Sequence, residues 1–363
     1  MRRWPGLILA LALVASIQAE PVRGASRSAA GASRLLACGD CWPAAFAFTP
    51  NGKQIFYLER YSGEIHRYTL KGRRDSRWGA VGPVDGDGER GALGIAVDPR
   101  WNKGNKKQRS KNQWIYVFYT SESPLENRVV RLRKRSGGGP TEDRLLRISI
   151  DGASNHNGGP IHFGPGGKLF VATGEQAVPS RSQDLDDPAG KVLRLNRTGG
   201  RPGDNPLPGS KAYSFGHRNS FGFTFDPVND TVWQTENGPE CEDEVNLVLP
   251  GENYGWGVGS SCPNTSTEGP SPSEPEHEWT PTIVPTGAAF CYGCGLGDTV
   301  EGDLLVGVYG GGRILNLSLD GQRDDVTGEA TLYDHSSGVL AVERRPNGRV
   351  YFSDSSGIFQ LTA

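Results

Sequence analysis

The chain has 363 residues, 36% of them hydrophobic and 22% charged, enough to bury a large core as two domains or as one big all-β domain. A net charge of −2, from 39 Lys and Arg against 41 Asp and Glu, excludes the strong field that recommends nucleic acid or an anionic membrane as partner; a small ligand suits this balance better. With 51 glycines and 25 prolines against one methionine, a helical bundle is excluded in favour of short strands joined by many turns.

Residues Met1–Ala19 read as a secretory signal peptide: Arg2 and Arg3, an apolar core from Leu7 to Ala15, then small residues near Ser16 and Ala19. That core is short for a bilayer span, and no later run approaches the ~20 apolar residues a span needs. Residues 20–41, which include the Gly, Ala and Ser-rich stretch Gly24–Ser33, read as a flexible linker. Export favours disulfides for Cys38, Cys41, Cys241, Cys262, Cys291 and Cys294, although two C-x-x-C pairs would also suit a four-Cys zinc site. The connectivity stays open.

From Trp42 a unit recurs: an apolar alternating strand, a turn with Pro or Gly, a second strand, and a third ending in basic or polar residues. Six copies begin at Ala45, Gly94, Pro160, Gly222, Gly287 and Val339. Period-2 alternation, with Leu169, Val171 and Thr173 against Lys168, Phe170 and Ala172, gives strands half-buried between neighbouring sheets. Units that cannot bury their faces alone must stack, so residues 42–363 are expected to form an all-β, six-bladed β-propeller, with a sandwich as the alternative. Two insertions stand out. Lys103–Lys111 is basic without aromatics and reads as a solvated loop, and Cys262–Pro285 is proline-rich and reads as a stiff extended loop, over a pocket mouth or simply on the surface.

Three clusters could carry chemistry. His156, between Asn155 and Asn157-Gly158-Gly159, sits at a strand entry where an imidazole can act as general base or serve the turn alone. Arg218 and Asn219 stand at the next strand entry, near the propeller axis, where they could converge with His156 on a carbonyl or carboxylate, or merely tie blades together. Glu236-Asn237-Gly238-Pro239 with Glu240, Glu242, Asp243 and Glu244 concentrates oxygen ligands of the kind calcium wants, without the spacing of an EF-hand, and a solvated acidic loop is the alternative. Asn253-Tyr254-Gly255-Trp256 closes the region with two aromatics that could stack on a flat ligand or cap a blade edge.

Together these motifs resemble the glucose/sorbosone dehydrogenase family, soluble six-bladed propellers that use pyrroloquinoline quinone (PQQ). The resemblance covers most of Gly82–Ala363. It rests on GERGALGIAVDP from Gly88, HNGGPIHFGPGGKLFVATGE from His156, GKVLRLN from Gly190, GHRNSFGFTFDP from Gly216, ENGPECEDEVNLVLPGENYGW from Glu236 and PTGAAF from Pro285. It implies oxidation of an aldose at the anomeric carbon, with His156 as the base while hydride passes to the quinone and an external acceptor then takes the electrons. Arg218 and Asn219 match residues that contact the cofactor, and Glu89 stands where a PQQ-contacting Gln is common. Gly238 and Pro239 match backbone carbonyls that hold the calcium bound with PQQ, and Glu244 and Tyr254 match a second, structural calcium site. Two places depart from the pattern: Gly310 and His335–Gly338 stand where the family often has cations for the PQQ carboxylates, and Arg313 is the nearby substitute. The rival expectations are a propeller that lost PQQ and binds a carbohydrate or protein without turnover, and a calcium-dependent lactonase.

Overall fold

A computed structural model of the chain describes residues 30–134 and 139–363. The expected signal peptide at 1–19, and positions 20–29 of the expected linker, lie outside the described residues.

The described strands form six antiparallel sheets of four strands each. The innermost strands are Phe46–Phe48, Ala92–Val97, Gly158–Phe163, Ser220–Phe225, Pro285–Phe290 and Ala341–Arg344, one at the head of each expected repeat. Each packs against the next, and the sixth returns to the first, so the ring is closed. The chain is a six-bladed β-propeller, as expected. Apolar clusters fill the spaces between sheets, for example Phe56, Trp78, Trp101 and Val117 between blades one and two, and Trp233, Val245, Phe290 and Leu304 between blades four and five. Each such side chain contributes about 1.5–3 kcal/mol.

One boundary is corrected. Gly31–Ala37, expected within the flexible linker at 20–41, is the outermost strand of blade six and pairs with Gly357–Thr362, with Gly31 opposite Thr362 and Ala37 opposite Gly357. The propeller therefore starts at least eleven positions before Trp42 (42 − 31 = 11). Within this strand only Leu36 is buried, so its sequence carries almost no alternation. Strands more than 300 positions apart thus build one blade.

Glycine sets how close the innermost strands come. A Cβ on Gly94 would lie 2.1 Å from the carbonyl oxygen of Gly159 in the next blade, and one on Gly222 would lie 2.1 Å from that of Thr286. Only a residue without a side chain allows that approach. Farther out, buried Asp98 accepts from Arg197 Nε at 3.0 Å, and buried Asp226 from Arg323 Nε at 2.5 Å, so the same aspartate position links blades two and three and blades four and five.

All six cysteines are paired: Cys38–Cys41, Cys241–Cys262 and Cys291–Cys294. Each C-x-x-C closes on itself, which removes the four-Cys zinc alternative. The proline-rich segment is not wholly a loop, because His277–Trp279 forms the outermost strand of blade four and pairs with Asp243–Val245. The basic insertion contains a short exposed helix, Lys106–Lys111, with a capping box between Asn105 and Gln108 and no buried residue.

Candidate active site

The segments that enter the innermost strands of blades two, three and four meet at one end of the ring. Glu89 Oε2 accepts the backbone N–H of His156 at 2.7 Å and Asn219 Nδ2 at 3.0 Å. Asn219 Oδ1 accepts the N–H of Gly158 at 3.3 Å. Three residues expected at a site are therefore joined directly, through the carboxylate of one of them.

His156 holds a left-handed backbone, φ 55°, as do Gln176 and Ala177 at φ 62° and 55°. Such conformations cost about 1–3 kcal/mol each and persist only where the surroundings over-determine them. Here the His156 carbonyl accepts from Gln176 Nε2 at 3.0 Å and from the Gln176 N–H at 3.1 Å, while its own N–H is fixed by Glu89. Its Nδ1 lies 2.7 Å from Oε1 of fully buried Glu175, whose Oε2 accepts the N–H of Val178 at 3.1 Å. A carboxylate can only accept, so Nδ1 carries the proton and Nε2 keeps its lone pair, the tautomer a general base needs. Glu175 was not anticipated. The strand register holds the signal: Gly158 pairs with Thr173, so the residue two before Gly158 faces the residue two after Thr173.

Arg218 faces a different way from Asn219. Its Nη1 donates to the carbonyls of Asn237 at 2.7 Å and Gly238 at 2.9 Å, its guanidinium lies 5.2 Å over the Trp256 ring, and its Nε is buried without a partner. Its backbone N–H donates to Glu236 Oε1, and the other oxygen of Glu236 meets His217 Nδ1 at 2.8 Å. His217 is fully buried, hydrogen-bonded to Ser214 Oγ at 2.8 Å and stacked on Tyr254, which makes it a structural histidine. The Gly238 carbonyl thus already receives one donor. Pro239 follows it in the same turn, half-buried, and Asp243 braces that turn by accepting the N–H groups of Gly238, Ile283 and Val284.

Beneath Arg218 lies a cavity of about 10 Å³, room for one water or ion, walled by Glu236, Glu242, Glu244, Thr265 and Ser266. Glu244 accepts from Thr265 Oγ1 at 3.2 Å, Ser266 Oγ at 3.1 Å and Asn246 Nδ2 at 3.0 Å. Burial, and then the nearby Glu236 carboxylate, pushes the Glu244 carboxyl well above the usual range. Tyr254 also borders this cavity, but its hydroxyl donates to the Leu247 carbonyl at 2.6 Å and accepts the Leu249 N–H at 2.8 Å, which commits the phenol to the backbone. The proline-rich segment supplies Thr265 and Ser266, so part of it covers a cavity.

A larger cavity, about 270 Å³, opens beside Glu89. Trp42, Leu93, Phe221, Val284, Tyr309 and Leu340 give it apolar walls, and its charged side chains are Arg60 and Glu89. Arg60 donates to the carbonyls of Gly88 and, at 3.1 Å, Arg90. Gly310 brings no cation here, since a Cβ on it would lie 2.6 Å from the Ile283 carbonyl. His335 turns to Asp354 at 2.9 Å, and the Tyr309 ring lies over Gly338. Arg313 is not in the wall.

Residues 41–361 match the model of the family described as Glucose / Sorbosone dehydrogenase. The chain belongs to that family. Within it, the chain is 26% identical to aldose sugar dehydrogenase YliI of Escherichia coli over 87% of this chain and 88% of the relative. It is 30% identical to quinoprotein glucose dehydrogenase B of Acinetobacter calcoaceticus over 59% of this chain and 50% of the relative. The structure of the PQQ-bound form of aldose sugar dehydrogenase from Streptomyces coelicolor superposes with a TM-score of 0.75 at 25% identity, covering 93% of this chain and 99% of the other. Members of the family are oxidoreductases. A flat group such as PQQ fits the larger cavity by its apolar, partly aromatic walls with Arg60 as the cationic side chain there, while Arg218 borders the smaller cavity. A single cation fits the smaller cavity by its carboxylates, whose mutual repulsion a divalent ion would relieve.

Proposed function

We propose that the protein oxidises an aldose at its anomeric carbon with PQQ and calcium, and passes the electrons to an external acceptor. The single observation that carries this reading is the His156–Glu175 pair, tied through Glu89 to Asn219 beside an apolar cavity. In this reading His156 Nε2 takes the proton of the anomeric hydroxyl. Glu175 keeps Nδ1 protonated and stabilises the imidazolium that results. Glu89, with one oxygen committed to His156 and Asn219, offers the other to a sugar hydroxyl. Arg60 pairs with a carboxylate of the cofactor, and the apolar walls exclude water from its face. PQQ would supply the two-electron acceptor for the hydride, and a calcium held by the Gly238 and Pro239 carbonyls would act as Lewis acid. A second calcium would sit among Glu236, Glu242 and Glu244, with Tyr254 contributing its backbone carbonyl rather than its hydroxyl. Export to the periplasm or medium agrees with three disulfides, and among the described residues no helix is long and apolar enough to cross a membrane.

Adding PQQ and calcium to the purified protein, and following cofactor absorbance and dye reduction with a panel of aldoses, tests this reading. Binding with turnover that His156→Ala abolishes is expected. Absence of PQQ binding at micromolar cofactor overturns it. In that event the second reading, a carbohydrate-binding propeller without PQQ, takes over. It is favoured by a wall that sets one Arg60 against one Glu89 and places Tyr309 over Gly338.

A further inference from the structure

We propose that the first hairpin of blade one carries a second kind of metal site, made by Glu59, Glu64 and His66, for a divalent transition cation of the zinc class. The strand register assembles it. Tyr57 pairs with His66 and Leu58 with Ile65, and the N–H of Glu59 donates to the carbonyl of Glu64 at 2.9 Å, so Glu59 stands opposite Glu64. His66 follows Glu64 by two positions and shares its face of the strand.

Distances set this histidine apart from four of the other five. His156, His217, His277 and His335 each meet a carboxylate oxygen at 2.7–2.9 Å as ordinary hydrogen-bonded pairs. His66 Nε2 instead has two oxygens around it, Glu59 Oε1 at 3.2 Å and Glu64 Oε2 at 3.4 Å, and neither is a hydrogen-bond partner. Both ring nitrogens are shut off from solvent and unpaired. Two ligand atoms bound at about 2.0–2.1 Å to one tetrahedral ion stand roughly 3.3 Å apart, which matches both distances from His66 Nε2, and the three ligand atoms lie within 4.8 Å of one another.

The outer partners orient all three ligands. Ser62 Oγ donates to Glu59 Oε2 at 2.7 Å and Arg77 Nε to Glu64 Oε1 at 2.6 Å, so on each carboxylate the other oxygen is the one turned toward His66. The His66 ring stacks on Tyr57 with centroids 4.8 Å apart. Its Nδ1 faces Asp75 Oδ2 at 3.6 Å, and the Tyr57 hydroxyl holds that carboxylate at 2.7 Å. A carboxylate behind a ligating imidazole is the usual outer support of a metal histidine. One imidazole and two carboxylates neutralise a divalent ion and select a zinc-like cation over calcium, which prefers oxygen alone. Partial exposure, 25% for Glu59 and 33% for Glu64, leaves an entry path and room for water as the fourth ligand. The turn between the two glutamates carries Arg60, so a bound ion would fix the backbone that delivers this cation to the large cavity.

Untagged full-length protein, saturated with calcium, is titrated with zinc chloride by calorimetry, and with cobalt(II) to read ligand geometry by visible absorption. Wild type is expected to take up one zinc equivalent, to gain a few degrees in Tm, and to give the intense cobalt bands of a tetrahedral site. His66→Gln and Glu64→Gln are expected to lose that equivalent, the Tm gain and the bands while keeping the wild-type circular dichroism spectrum. If His66→Gln does not fold, Glu59→Gln carries the test. Equal zinc uptake by wild type and a folded variant, or none by wild type at micromolar zinc, overturns the proposal.

Discussion

Beside the large cavity the segments that lead into the innermost strands contribute opposite things in two parts of the ring. At the entry to its innermost strand, blade three offers His156 and blade four Asn219, both bound to Glu89 ahead of blade two. At the same place blade five offers Val284 and blade six Leu340, and blade one is preceded by Trp42. Of the two hydroxyls of that half, Thr286 spends its proton on the Val339 carbonyl at 2.9 Å, which leaves that of Tyr309. At these entries blades two to four therefore hold protons and donors in place and blades five and six give shape and dryness, while Arg60 of blade one is the cavity's cation. Identical supersecondary units can divide such labour because the strand entry is the one position in each repeat that the core does not dictate.

The sharpest way to break this division is to remove its base. His156→Ala should lower kcat of the PQQ- and calcium-loaded protein by about 10²–10⁴-fold with little change in PQQ affinity, read by dye reduction and by absorbance titration. Stability, in contrast, should be shared evenly between the halves. Arg323→Ala and Arg197→Ala each leave a buried aspartate uncompensated, and each should cost about 3–5 kcal/mol in urea denaturation. A large loss for one and none for the other would refute that symmetry. Giving the apolar half a cation should blur the contrast: Tyr309→Lys is expected to tighten PQQ binding by the worth of one charged hydrogen bond, about 1.5–3 kcal/mol. Unchanged affinity there would mean that the cofactor carboxylates do not reach that wall.

The smallest effect concerns the innermost strands of blades three and six, which face each other through His162 and Glu343, 3.6 Å apart. Burial pushes the His162 imidazole down to about 4 from its ordinary 6.5. The unfolded chain therefore binds this proton first, so the group subtracts stability as pH falls from 6.5 through about 4, and subtracts it fully below. His162→Gln should flatten that part of a plot of urea midpoint against pH. Burial raises the Glu343 carboxyl, so stability falls as pH rises past its unfolded value of 4.5, and Glu343→Gln should raise the midpoint at neutral pH.

The propeller was legible because its repeats announce themselves locally, with alternating strands, D-P and G-G turns, and a glycine where neighbouring strands nearly touch. The closing strand was not, since its partner is more than 300 positions away and its own residues are mostly outside the core. At the site, His156 and Asn219 converge as the positions of strand entries suggested, and Glu89, expected from the family resemblance alone, joins them. Arg218 turned out to serve the Asn237–Gly238 turn, and the Tyr254 hydroxyl serves the backbone. Glu175 was missed because seeing it takes the register of one hairpin. Arg60 and Trp42 were missed because the large cavity is walled by connecting segments, whose positions no periodicity encodes.

The blade shared by Gly31–Ala37 and Gly357–Thr362 also sets a schedule for the molecule's making. Gly31–Ala37 is made more than 300 positions before its partner strand, and until that partner arrives it is an open edge. Ring closure thus waits for Gly357–Thr362, and any factor that shields a nascent edge would act on Gly31–Ala37 throughout that interval.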